Sequence, residues 1–358
     1  MVGFKFSMQN QTLIISPSGQ YYGSEQMLHE HLLYTDKEFK VYVNSNGNYL
    51  QILKKNRMIH QILEFSNVKI LYIKIFFLLV FNNYSSVYVN EGGHIKYIKQ
   101  LAKYFTKKKF IVHIRLFEDT KHQRLNNHLL PNMQLICVSD FIKNEIHKEN
   151  IDILNTQVET VHDYYLTHHI TPKKTNVSNT VRIGILGRVS SAKGVLKACE
   201  LLQYWDSNVS KDLECYMYGD IIEDEDVKTF VRVTKSFSNI KVFFKGFVSD
   251  KEQFFKTFDI VIHFNAYEPF PRIYFDAMAR LKPVVGFDSG GIGEQARIFG
   301  FQKNLVPLTK DWASKMCDTI ISIHNNMNKQ QEDILKKQYI FQSRLNIGAY
   351  INSIEKYF

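Results

Sequence analysis

Ile260-Val-Ile-His-Phe-Asn-Ala-Tyr-Glu268-Pro-Phe-Pro-Arg-Ile-Tyr-Phe-Asp276-Ala-Met-Ala-Arg-Leu-Lys-Pro-Val-Val-Gly-Phe287 reads as strand, loop, helix and strand in succession. Residues 260–264 form a short apolar run rich in β-branched side chains. Pro271 suits the first position of a helix over 271–281, where its missing N–H is not needed. Residues 283–287 return to a strand pattern. A strand–helix–strand unit of this kind joins parallel strands, because a hairpin cannot.

The same alternation extends outward. Strands are expected over 181–186, 213–218 and 240–243, with helices over 195–204, 226–236 and 251–258. Farther toward the N-terminus, 11–16, 40–43, 85–89, 110–114 and 135–138 read as strands, and 24–33 as a helix. Between the two series lies 168–179, polar, without an apolar period and broken by Pro172. Two α/β domains follow, each a parallel sheet covered on both faces. The first is expected over 1–172 and the second over 180–337. A length of 358 residues with 45 % apolar side chains suits two such cores. In open α/β sheets ligands bind beyond the carboxyl ends of the strands, so the loops there carry the chemistry.

Composition narrows the function. Cys137, Cys199, Cys215 and Cys317 are far apart and form no C-x-x-C pair, which gives neither a disulfide framework nor a metal-site spacing. A reduced, cytoplasmic compartment fits. The N-terminus lacks the apolar core of a signal peptide. The most apolar run, 70–81, contains Lys74 and is shorter than the ~20 residues a spanning helix needs. It is expected to be a buried or interfacial helix, and the protein at most peripheral to a membrane. Residues 1–180 carry 21 Lys and Arg against 14 Asp and Glu, with Lys96, Lys99, Lys103, Lys107, Lys108 and Lys109 close together. Such a patch attracts polyanions or anionic lipid, or is simply a solvated surface. Nucleic acid is not expected as a partner, since no recognised binding motif accompanies the charge.

Three loops hold the candidate site. Glu268 lies on the loop after a strand and Asp276 about a turn and a half into the helix, so the pair can accept hydrogen bonds from two sets of hydroxyls on one ligand. Gly187-Arg188-Val-Ser-Ser-Ala-Lys193-Gly194 follows the 181–186 strand: Gly187 permits a sharp turn, and Arg188 and Lys193 bring two cations to a helix N-terminus. That combination suits a diphosphate. Ser289-Gly290-Gly291-Ile-Gly-Glu294 follows the 283–287 strand, and Glu294 either bonds a loop amide or favours a helix N-terminus. A dinucleotide-binding G-x-G-x-x-G turn is absent from both first loops, which removes the dehydrogenase reading.

Together these loops resemble the family 4 glycosyltransferases, retaining enzymes of the GT-B fold. Glu268, Phe270, Ala277-Met-Ala279 and Pro283-Val-Val285 match that family's E-x-F…E-A-M-A…P-V-V segment, while Asp276, Pro271 and Arg272 depart from it. The resemblance implies two Rossmann-like domains facing an interdomain cleft, with a final segment, 338–358, returning to the first. It implies that Glu268 contacts the donor sugar, that Asp276 binds ribose, and that Arg188 and Lys193 hold the pyrophosphate. Gly187, Phe270, Pro271, Arg272, Gly290, Gly291 and Glu294 would line the donor site. Gly19, Gly23 and either His113 or Arg115 would face the cleft on the acceptor side. No cofactor and no essential metal are implied, the cations standing in for one. The partners are a nucleotide-sugar donor and a glycan or lipid-linked oligosaccharide acceptor of bacterial surface-polysaccharide synthesis. The alternatives are a GT-B nucleotide-sugar epimerase and a non-catalytic sugar-nucleotide-binding protein.

Overall fold

The computed structural model describes residues 11–56, 58–126, 128–165, 178–248 and 250–358. Most of the polar 168–179 linker therefore lies outside the described residues. The chain divides into two compact units, one comprising Met1–Tyr164 with Leu345–Phe358, the other Tyr165–Arg344.

In the first unit the strands are β1 (Gln11–Ser16), β2 (Lys40–Asn44), β3 (Gln61–Phe65), β4 (Tyr84–Val89), β5 (Lys109–Ile114), β6 (Met133–Cys137) and β7 (Val158–Thr160). They form one seven-stranded sheet in the order β3-β2-β1-β4-β5-β6-β7, with every pair parallel. The helices are α1 (Gly23–Tyr34), α2 (Tyr49–Lys55), α3 (Val68–Phe81), α4 (Ile95–Tyr104), α5 (His122–Leu125) and α6 (Asp140–Glu149). In the second unit β8 (Val181–Leu186), β9 (Leu213–Tyr218), β10 (Ile240–Gly246), β11 (Ile260–His263), β12 (Val284–Phe287) and β13 (Leu305–Val306) alternate with α7 (Val195–Asn208), α8 (Glu225–Thr234), α9 (Lys251–Phe255), α10 (Arg272–Ala279), α11 (Gly290–Phe299) and α12 (Trp312–Asn325). This sheet runs β10-β9-β8-β11-β12-β13, again wholly parallel. Both units are thus Rossmann-like, and the order reverses between β1 and β4 in one and between β8 and β11 in the other.

The central strands are buried on both faces, which is why their sequences are continuous apolar runs rather than alternating ones. In the second unit Ile183, Cys215, Ile262, Val285 and Phe287 pack with Leu202 and Trp205 of α7 and Met316 and Ile320 of α12. Three of the described strands escape the sequence reading. β3 is an edge strand with one buried residue, β7 has three residues and β13 two, so none carries enough apolar pattern to be seen. The 271–281 helix is trimmed to Arg272–Ala279, because Leu281 turns to a positive φ of 58°.

The last two helices go separate ways. α13 (Met327–Arg344) stays with the second unit: Gln338, where the sequence reading begins the returning segment, donates from Nε2 to the Met278 carbonyl at 3.0 Å. α14 (Ile347–Glu355) belongs to the first unit, where Tyr350, Ile351 and Ile354 join the core around Met27, Leu28 and Val41. Its polar anchor is Glu355, whose carboxylate meets His31 Nε2 at 2.9 Å, Lys37 Nζ at 3.0 Å and the Thr35 hydroxyl at 2.5 Å.

Burial opposes the charge on Glu355, but the hydrogen bonds from His31, Thr35 and Lys37 outweigh it and hold its pKa down to about 2. A folded pKa below the ordinary 4.5 contributes stability that is complete above pH 4.5 and is lost as the pH falls toward 2. Glu355→Gln is therefore expected to cost about 2 kcal/mol at neutral pH and nearly nothing near pH 2. Denaturant unfolding across that range checks it, and an equal cost at both ends would contradict it.

Candidate functional site at the strand ends of the second sheet

The site is built at the point where the second sheet changes direction. β8 is followed by Gly187, whose φ of 117° is open to glycine and which leaves space around its Cα. Its N–H donates to the Tyr218 carbonyl at 2.9 Å, and a Cβ on Gly219 would sit 2.2 Å from the Gly187 carbonyl oxygen, so two glycine turns pack back to back. The chain then passes Arg188, which is exposed, and makes a single helical turn over Ser191–Lys193. Gly194 follows with φ 83° and lies against Phe264, just past β11, where a Cβ would stand 2.7 Å from that of Phe264.

This close approach delivers Lys193 to the loop after the neighbouring strand. Its Nζ donates to both carboxylate oxygens of Glu268, at 2.8 and 2.6 Å, and Asn265 Nδ2 donates to one of them at 2.6 Å. Burial alone would raise the Glu268 pKa; the charge of Lys193 and the hydrogen bonds from Lys193 and Asn265 more than offset it, and the group is held below its ordinary value. His263 ends β11 beside the pair. Burial pushes its pKa down to about 4, with Glu268 opposing and Lys193 adding to the shift, so it is neutral near pH 7. Its Nδ1 accepts the Asn265 N–H at 3.2 Å.

The glycine loop after β12 supports this arrangement. Gly290 takes φ 57°, and a Cβ there would stand 2.7 Å from the Ala266 carbonyl oxygen. At Gly291 a Cβ would meet the Pro269 carbonyl oxygen at 1.9 Å. The Gly291 N–H donates to the Glu268 carbonyl at 2.8 Å, Ser289 Oγ donates to the Ala266 carbonyl at 3.0 Å, and Gln295 Nε2 to the Pro271 carbonyl at 3.1 Å. The Gly291 amide is thereby committed to fixing the backbone of Glu268. Glu294 lies buried on α11.

Pro271 is the N-cap of α10 rather than its first residue, and Phe270 is buried with its ring edge-on to Phe275 at 5.5 Å. Arg272 places its guanidinium 6.0 Å from the Phe275 ring. On the same helix Asp276 accepts from Lys251 Nζ at 2.7 Å, and Arg280 bonds the Asp276 carbonyl at 3.0 Å while gripping Glu252 through Nε and a terminal nitrogen at 2.9 and 2.6 Å. Lys251, Arg280, His263 and Asn265 are the residues that the sequence reading passes over. His263 has the clearest local signal, a polar residue ending an apolar strand.

In the first unit Gly19 is explained by packing: a Cβ would lie 2.4 Å from the Asn46 carbonyl oxygen, and its own carbonyl accepts the Tyr49 N–H at 2.9 Å. Gly23 opens α1. Two residues on, Glu25 accepts from the Tyr22 N–H at 3.2 Å and from the Ser24 hydroxyl at 2.9 Å, and that hydroxyl is 2.6 Å from Glu91 beyond β4. Burial first, then the Glu91 charge, pushes the Glu25 carboxyl well above the carboxylate range. His113 and Arg115 are both buried and face each other, with Arg115 3.3 Å from His113 Nδ1. Arg115 also binds Asp163 at 3.0 Å and the Tyr350 hydroxyl of α14 at 2.9 Å, and the Tyr88 hydroxyl is 2.8 Å from His113 Nδ1. Arg115 therefore ties the end of β5 to the C-terminal helix, and His113 is linked to it through Arg115. Burial, then Arg115, holds the His113 pKa far below its ordinary value.

Residues 169–337 match the model of the glycosyl transferases group 1 family. No protein with a curated description matches the chain by sequence. Among solved structures, Anabaena Alr3699/HepE in complex with UDP and glucose superposes with a TM-score of 0.73 at 18 % identity, covering 97 % of this chain and 99 % of that one. The lipopolysaccharide outer core galactosyltransferase WaaB in its apo form gives 0.68 at 12 % identity, covering 98 % and 99 %. A glycosyltransferase from Rickettsia africae gives 0.67 at 18 % identity, covering 98 % of each chain. At these identities the superpositions establish the fold.

Two changes test the local architecture. Gly291→Ala has no room for its methyl and is expected to cost about 3 kcal/mol; a loss below about 0.5 kcal/mol in denaturant unfolding would show that the loop yields freely. Lys193→Met removes the strongest influence holding the Glu268 pKa down, so that carboxyl should titrate above its ordinary 4.5. Carboxyl-carbon NMR reads the shift, and an unmoved pKa would deny the coupling. With a glycosyl transferases group 1 domain over its second half and two Rossmann-like units of the GT-B kind, the chain is a glycosyltransferase.

Proposed function

We propose that the protein transfers a sugar, with retention at the anomeric carbon, from a nucleotide-diphosphate sugar held by the second unit. The observation that carries this is the meeting of Lys193 and Glu268 at 2.6 Å across the switch point of a parallel sheet. A cation there, at the entrance of α7 and with Arg188 on the same loop, is suited to the charge that develops on a departing diphosphate. Lys193 would exchange part of its contact with Glu268 for the diphosphate. Glu268, kept ionised, would then orient sugar hydroxyls and favour positive charge on the ring at the reacting carbon. Asp276 would bind ribose, with Lys251 yielding one of its carboxylate oxygens.

In this reading Arg188 and Lys193 replace a metal ion, and no cofactor is needed beyond the donor. UDP is the first nucleotide to test, because the Anabaena HepE structure holds UDP and glucose. The acceptor is assigned to a glycan or lipid-linked oligosaccharide of bacterial O-antigen, capsule or exopolysaccharide synthesis, met at the cytoplasmic face of the membrane. The similarity to the lipopolysaccharide outer core galactosyltransferase and the basic first unit support that assignment. No helix among the described residues is long and apolar enough to cross a membrane.

The test is calorimetric titration with UDP, GDP, dTDP and ADP, followed by turnover of the matching sugar donors. UDP should bind selectively and without added divalent metal. Lys193→Ala should weaken that binding about tenfold or more, in line with the loss of one charge-assisted contact. Glu268→Gln should bind UDP normally yet lower turnover about 10²–10³-fold. Full affinity in the lysine variant, or a strict requirement for metal, would overturn the assignment.

A further inference from the structure

Helix α3, Val-Lys-Ile-Leu-Tyr-Ile-Lys-Ile-Phe-Phe-Leu-Leu-Val-Phe, is apolar all round. A helix of that composition is ordinarily buried on every side. Here Leu71, Tyr72, Ile75 and Leu79 are buried, while Ile70, Ile73, Phe77, Val80 and Phe81 are exposed. Spacings of three and four residues place those five on one face, with Lys74 among them. Phe81 is 76 % exposed and Phe77 53 %, their rings stacked 6.2 Å apart. Phe76 joins this pair to α4 through ring contacts with Tyr104 at 6.1 Å and Phe105 at 5.1 Å, and Tyr104 is itself 73 % exposed. A contiguous apolar and aromatic patch of this kind on a surface marks an interaction site.

Charge identifies the occupant. Residues 66–109 contain eight lysines and one acid, Glu91. Lys74 rises from the apolar face itself, and Lys103 and Lys107 flank Tyr104, all three exposed. A protein partner apolar enough to cover the aromatic rings would leave these ammonium groups uncompensated, whereas an anionic bilayer offers acyl chains and negative headgroups at adjacent depths. The long lysine stems can lie along the apolar surface while their charges stay at the headgroups. At 14 residues the helix fits flat in the interface and is too short to span.

We propose that the exposed face of α3, with Tyr104 and the lysines of α4 and its following turn, docks on an anionic lipid surface. Phe77, Phe81 and Ile73 enter the acyl boundary, and Lys74, Lys103 and Lys107 contact the headgroups. The proposal rests on the membrane-surface reading given above, to which it adds the docking face and the sign of the lipid charge.

The test is co-sedimentation of the full chain with phosphatidylcholine vesicles and with vesicles of phosphatidylcholine and phosphatidylglycerol in equal parts. The wild-type protein should bind the second and not the first, more weakly as salt rises. Phe77→Ser with Phe81→Ser should reduce binding at least tenfold, and Lys103→Glu with Lys107→Glu by about fivefold or more for each lysine lost. Both pairs are exposed, so unfolding midpoints and UDP binding should stay at wild-type values, which reads the donor site separately. Undiminished vesicle binding in the phenylalanine variant would overturn this face while leaving membrane association standing. A wild-type protein that ignores both vesicles would overturn the lipid occupant; if it sediments as a dimer that the phenylalanine variant dissolves, the face is a contact between copies.

Discussion

The ion pair between Lys193 and Glu268 is the constraint around which the second unit is arranged. The two residues are 75 positions apart and meet because β8 and β11 are neighbours in the sheet although β9 and β10 intervene in the chain. A carboxylate so enclosed is costly unless a cation and further donors compensate it. Lys193 and Asn265 supply that compensation, and their effect exceeds the desolvation that would otherwise raise the Glu268 pKa. The pair is thus charged, satisfied and sited where a parallel sheet leaves room for a ligand. An anion arriving there meets a lysine already held in place by its partner.

Glycines do the construction that brings the pair together. Positive φ at Gly187, Gly194, Gly219 and Gly290 folds the loops after β8, β9 and β12 tightly over the strand ends. Gly194 and Gly291 allow backbone to approach other chain segments where any Cβ would collide. Glycine-rich turns after parallel strands invite a single interpretation, in which bare amides cradle a phosphate. In this molecule Gly219 and Gly291 are explained by chain packing on chain, and the Gly291 amide has a carbonyl partner. Gly187 differs, since the space around it is open.

How much of this was legible depends on whether the cause lies near in sequence. Ten of the thirteen described strands stand out as apolar runs, nine of them because central parallel strands are buried on both faces and the edge strand β10 because its run is long. β3, β7 and β13 do not, being short edge pieces stabilised by a neighbour that sequence does not name. The loops holding Arg188, Lys193 and Glu268 were legible as motifs, but their mutual geometry came from strand order. Asn265 and Lys251 gave no signal, since each matters through a partner, Glu268 or Asp276, presented by the fold. His113 and Arg115 were legible as polar residues at a strand end. The bonds of Arg115 to Asp163 and to Tyr350 of α14 depend on segments farther along the chain.

The two units repeat one topology with opposite chemistry at corresponding places. At the switch point of the second sheet, cations lie on the loop after β8 and the carboxylate after β11 is kept ionised. At the switch point of the first, the groups near β1 and β4 are Glu25 and Glu91; burial raises the pKa of both, that of Glu25 to about 7. Asp119, beyond β5, is raised to about 6 by burial in the same way. An enclosed acid cluster disfavours its own charge, and it would disfavour a diphosphate more strongly still. Neutral carboxyl groups can, however, donate as well as accept hydrogen bonds, which suits hydroxyl-rich ligands. The shared fold therefore carries different electrostatics at its two switch points: cations beside an ionised carboxylate in the second unit, and enclosed acids whose charge burial disfavours in the first.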